Sequence, residues 1–112
     1  MSSRSSEVSD PTRIRSRLRD GLTEVLLLIP HPMETGMRKD DSGAFVPSCY
    51  ITEVKVTVAG RTVLEARMSQ AVSHDPLLTF RFRGGAAGDR VEVTWTDSQG
   101  DRRSDQLRLA FA

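Results

Sequence analysis

Polar and apolar residues alternate with a period of two in run after run along this chain, and no stretch carries the three-to-four-residue apolar spacing of an amphipathic helix. Thr12, Ile14, Ser16 and Leu18 alternate with Arg13, Arg15, Arg17 and Arg19. Tyr50, Thr52, Val54, Val56 and Val58 are set inward against Glu53, Lys55 and Thr57. Shorter runs follow: Leu64, Ala66 and Met68; Leu78, Phe80 and Phe82; Val91, Val93 and Trp95; Leu107, Leu109 and Phe111. Turn-forming pieces separate them, among them Asp20-Gly21, Gly60-Arg61, the glycine-rich stretch at 84–88 and Asp97-Ser98-Gln99-Gly100. With Thr23–Ile29 added, the pattern predicts an all-β fold, an antiparallel β-sandwich of about seven strands. Trp95, on an alternating strand, belongs to its core.

Two strands depart from plain alternation. The arginine face of the first suits an edge strand guarded against pairing with strangers, with an anion site as the alternative. In the second, Val25, Leu27 and Ile29 face one way while Leu26 and Leu28 face the other. A sheet in a two-layer sandwich has one core face, so Leu26 and Leu28 need cover from a loop or from a partner chain.

That strand runs into Pro30-His31-Pro32-Met33-Glu34-Thr35-Gly36. Proline donates no ladder hydrogen bond, so pairing is expected to stop there and the chain to leave the sheet. The loop brings out an imidazole, a thioether and a carboxylate, and is a candidate functional surface; a plain proline-rich connector is the alternative. Read as exposed, it predicts that His31→Ala or Glu34→Ala costs about 0.5 kcal/mol or less. Beyond it, Asp40–Gly43 forms the turn of a small projecting hairpin.

The 112 residues suffice for one domain, divided as a flexible arm at 1–12 and a sandwich at 13–112. A net charge of +1 favours no nucleic-acid partner, and the longest apolar run, Val25–Ile29, is far too short for a membrane span. No secretory signal is legible in residues 1–13, which on sequence alone points to the cytoplasm. The single cysteine, Cys49, excludes an internal disulfide. A copper site would need both histidines, His31 and His74, with Cys49 at spacings unlike those of such proteins, so no metal and no cofactor is expected. Cys49 has no evident base, and His31 with Glu34 shares one loop without a pocket, so no enzymatic activity is expected.

His31-Pro32-Met33-Glu34-Thr35-Gly36, entered from Leu27-Leu28-Ile29 and followed by Arg38 and Gly43, resembles the signature of the SoxZ family. The likeness extends through Pro47, Tyr50-Ile51, Val72-Ser73, Asp75–Leu78, Phe80 and Thr94–Asp97 with Gly100, and covers roughly residues 25–100. It implies an immunoglobulin-like sandwich that forms a heterodimer with SoxY. In that complex SoxY carries sulfur intermediates of thiosulfate oxidation on a glycine-flanked C-terminal cysteine, and other Sox enzymes make transient contact. From its ending, Leu109-Ala110-Phe111-Ala112, this chain is expected to lack such an arm. The resemblance also implies a periplasmic location reached by co-export with SoxY. Leu26, Leu28, His31, Pro32, Met33, Glu34, Thr35 and Gly36 are the candidate partner-binding residues.

Overall fold

The computed structural model describes residues 11–69 and 71–109. Seven strands run in the order β1 (Arg13–Arg19), β2 (Leu22–Leu28), β3 (Ile51–Val58), β4 (Arg61–Arg67), β5 (Leu77–Arg83), β6 (Arg90–Asp97) and β7 (Arg102–Arg108). They form two antiparallel sheets, β1-β2-β5 and β4-β3-β6-β7, the strand order of an immunoglobulin-like sandwich. There is no helix among the described residues, hence none long and apolar enough to cross a membrane. The arm expected at 1–12 lies mostly outside the described residues. Thr12 is within them and is buried, its N–H donating to Asp105 Oδ2 on β7 at 3.0 Å.

Alternation decides which residues fill the space between the sheets. Val25, Leu27 and Ile29 from the first sheet meet Val54, Val56, Val58, Val91, Val93 and Trp95 from the second. The β1 arginines all lie on the exposed face of an edge strand, as their spacing predicts.

The third strand departs from its pattern. Tyr50 and Thr52 are only half-buried, whereas Ile51 is fully buried. The cause is a register shift between Ile51 and Glu53 against β6, a bulge that inserts an extra residue and reverses the facing of everything before it. Phe111, expected inward on the last strand, lies outside the described residues.

The connection from 30 to 48 is held by its own small ladder. Glu34 and Cys49 exchange backbone hydrogen bonds at 2.6 and 2.9 Å. Lys39 pairs with Phe45 across the expected turn. Asp40 Oδ1 closes that turn by accepting from the Ser42 and Ala44 N–H groups at 2.9 and 3.1 Å and from the Ser42 hydroxyl at 2.7 Å.

Candidate functional site

The two prolines stop sheet pairing but not extension. Their fixed φ belongs to extended backbone, and the alternation of β2 passes through them: Val25, Leu27, Ile29, His31 and Met33 are all buried, while Pro32 is exposed. The exposed imidazole expected from the sequence is therefore corrected. His31 is 4% exposed and wedged against Trp95, the rings meeting edge to face with centroids 5.0 Å apart.

Every polar atom of His31 is engaged. Its N–H donates to Asp75 Oδ1 at 2.9 Å and its carbonyl accepts from the Asp75 N–H at 2.8 Å. Nδ1 accepts the Met33 N–H at 3.0 Å, so that nitrogen carries a lone pair and the ring proton sits on Nε2. Nε2–H then donates to Asp97 Oδ2 at 3.2 Å. The Met33 sulfur, also buried, accepts the Ile51 N–H at 3.3 Å.

Asp97 ends β6, and its position follows from the same parity that buries Trp95. Its side chain is a hub: Oδ2 takes the His31 proton and the Cys49 thiol, the latter at 3.5 Å, while Oδ1 accepts the Gln99 and Asp101 N–H groups at 3.0 and 2.9 Å. One carboxylate thus fixes the 97–101 turn and ties it to the continuation of β2 in the other sheet. Antibody domains join the equivalent pair of strands with a disulfide. Here a hydrogen-bonded acid and imidazole do so at one end of the sandwich.

His31 Nε2, Cys49 Sγ and Asp97 Oδ2 lie within 4.8 Å of one another, beside a depression of about 250 Å³ that Pro32, Glu34, Pro47 and Gln99 help to line. Residue types of this kind serve both metal binding and thiol chemistry, so the proton positions decide. A metal on Nε2 requires the remaining ring proton on Nδ1, where it would collide with the Met33 N–H. A base toward the thiol requires a lone pair on Nε2, which already carries the proton. As arranged, His31 orients structure and offers Nε2 neither to a metal nor to the thiol. His74, the other histidine, is exposed and faces Asp75 with 3.8 Å between Nδ1 and Oδ2; it does not line the depression.

The candidate residues of the loop divide by parity. His31 and Met33 point in; Pro32 and Thr35 are exposed, and Thr35 Oγ1 accepts the Met37 N–H at 3.0 Å. Glu34 is half-buried and forms a two-pronged pair with Arg38, with Nε and Nη2 at 3.0 and 2.6 Å from its carboxylate oxygens. That guanidinium holds the Glu34 carboxyl below its usual range, and the carboxylate in turn raises the Arg38 guanidinium above its own. Gly36 has φ of 87°, and a Cβ there would sit 3.2 Å from Ser48 Cβ, so this turn requires glycine. Leu26 and Leu28 belong elsewhere, on the outer face of the first sheet, where Leu26 is 36% exposed and Leu28 half-buried. Asp97 and Cys49 complete the buried cluster, yet neither stood among the candidates. Asp97 was legible as the next inward position after Trp95.

Comparison with known proteins bears on both fold and family. A hypothetical protein from Pyrococcus horikoshii superposes with a TM-score of 0.64 at 14% identity, over 92% of this chain and 90% of that one. A superoxide reductase in the oxidised state gives 0.63 at 12% identity, over 95% and 99%. A superoxide reductase (neelaredoxin) from Archaeoglobus fulgidus gives 0.62 at 16%, over 100% and 97%. At such identities the likeness is one of fold. No curated protein sequence matches significantly. The profile of the family described as sulphur oxidation protein SoxZ, however, matches residues 12–108, a span holding all seven strands, the 30–36 loop and the Asp97 hub, and the chain accordingly belongs to the SoxZ family.

Proposed function

We propose that this chain is the non-catalytic subunit of a SoxYZ carrier, binding SoxY and presenting it to the enzymes that process sulfur on SoxY's C-terminal cysteine. The observation that carries the reading is the family match across residues 12–108. The geometry of the His31–Cys49–Asp97 cluster supports it from the chemical side, because the Cys49 thiol is tied to the Asp97 carboxylate at 3.5 Å. Cys49 is a packing residue in this reading, and the sulfur cargo never resides on it. The chain works in the periplasm, exported together with SoxY.

Coexpression with SoxY tests this directly. A one-to-one complex should survive size-exclusion chromatography, and after loading with thiosulfate-derived sulfur, intact-mass analysis should place the adduct on SoxY alone. Cys49→Ser should load equally well, since a hydroxyl also donates to Asp97. Failure to form the complex, or an adduct on Cys49, would overturn the proposal.

A further inference from the structure

The two sheets present very different outer faces. On β4-β3-β6-β7 the register sets Glu53 opposite Arg67 and Lys55 opposite Glu65, and Glu92 lies on the same face as Arg90, Arg102 and Arg108, so acidic and basic side chains are interspersed. On β1-β2-β5 the outward positions are Arg13, Arg15, Arg17 and Arg19 from β1 and Arg81 and Arg83 from β5, with Glu24 of β2 the one acidic residue. The register brackets Glu24 between Arg17 and Arg81, and it bonds to Arg17 Nε at 2.7 Å. Six arginines against one glutamate leave a local charge of +5 on a chain whose net charge is +1.

The same face has an apolar end. Leu28 lies between Arg13 and Leu77, and Leu26 between Arg15 and Thr79. Leu77 is 59% exposed and Leu26 36%. Leucines beside a field of arginines make an apolar centre with a charged margin, the composition of a docking surface rather than of an indifferent one.

Edge protection explains some charge on β1 and β5, but charges of mixed sign protect an edge as well and do not repel one another. The uncompensated positive charge has its natural complement in carboxylates from outside the chain. The outer face of the neighbouring sheet carries Lys55, Arg67, Arg90, Arg102 and Arg108 against Glu53, Glu65 and Glu92, so it too is basic on balance and a second copy offers no such complement.

We infer that the outer face of β1-β2-β5 is where this chain receives its partner subunit, and that the partner brings an apolar patch to Leu26, Leu28 and Leu77 and carboxylates to Arg15, Arg17, Arg81 and Arg83. The inference rests on the carrier-subunit reading, with SoxY as the occupant, and adds the surface and its chemistry. It also assigns the loop at 30–36 to the scaffold's end rather than to the permanent contact.

The test compares binding of SoxY to the wild-type chain, to Arg15→Glu/Arg81→Glu and Leu26→Asn on this face, and to Lys55→Glu/Arg67→Glu on the other sheet, by titration at low and high salt. All the changed side chains are exposed, so circular dichroism should be unaltered. The first two variants should weaken binding by about tenfold or more, the charge reversal should flatten the salt dependence, and the third should bind as wild type. If wild type binds but the face variants bind equally well, or if only the other sheet's variant fails, the face is wrong while the carrier reading stands. If wild type does not bind SoxY at all, the reading beneath it fails. A wild-type homodimer that the Arg15→Glu/Arg81→Glu change dissociates would assign the face to a second copy and overturn the inference.

Discussion

Removing the Asp97 carboxylate should unfasten the end of the sandwich that carries the His31–Gly36 loop. In Asp97→Ala the His31 Nε2–H, on a side chain 3% exposed, is left with Cys49 Sγ at 3.9 Å as its nearest alternative acceptor, and sulfur accepts weakly. Stranding a buried donor costs about 1–3 kcal/mol, and losing the bonds from the Gln99 and Asp101 N–H groups adds roughly 0.5–1.5 kcal/mol each. The sum is about 2–6 kcal/mol, a range that contains the cost of removing one partner of a buried polar pair. At this chain length each kcal/mol moves Tm by roughly 4 °C, so the variant should melt about 8–24 °C below wild type. Urea denaturation followed by the single tryptophan gives the free energy directly, since Trp95 packs on His31. The cycle of Asp97→Ala, His31→Ala and the double variant should show coupling on the order of 1 kcal/mol or more. A loss below about 1 kcal/mol with additive singles would refute the hub, and with it the claim that proton placement locks the cluster.

Trp95→Ala should cost about 3–5 kcal/mol through the cavity it leaves, read by thermal melting. Glu34→Ala, which breaks a pair at the rim with Arg38 59% exposed, should change stability by about 0.5 kcal/mol or less, so a large loss would mean the pair organises the loop. Burial pushes the Asp105 carboxyl up, but bonds from the Arg103 guanidinium and the Thr12 N–H outweigh it and hold the group below its usual range. The native state therefore takes up that proton less readily than the unfolded chain. Its contribution is present above the ordinary carboxylate range and is lost as the pH falls through the lowered native value. Asp105→Asn should accordingly lower stability at neutral pH and flatten the decline below about pH 4, and an unchanged acid limb would contradict this. Gly36→Ala should cost about 1–2 kcal/mol, because a side chain at φ of 87° is strained and meets Ser48.

The strands were legible because each is short and alternates, so parity alone assigned Leu27, Val54, Val56, Val93 and Trp95 to the core. Tyr50 and Thr52 misled because a bulge leaves no mark in composition: only the pairing with β6 shows that two residues face one. The loop is visible as a feature, but proline in a sequence marks the end of pairing without telling whether the inward-outward pattern ends with it. Carrying the period through Pro30 and Pro32 would have turned His31 and Met33 inward, and carrying it past Trp95 would have turned Asp97 to meet them. That His31 and Asp97 meet each other, 66 residues apart, depends on how the two sheets stack, which local periodicity does not encode.

A segment whose side chains alternate between anchored and outward-looking can change its appearance without changing its shape. His31 and Met33 are committed to Asp97, Trp95 and Ile51, while Pro32 and Thr35 are exposed, Thr35 bonding only to the neighbouring Met37 N–H. Pro32 and Thr35 can therefore be exchanged for other side chains while His31 and Met33 preserve the frame.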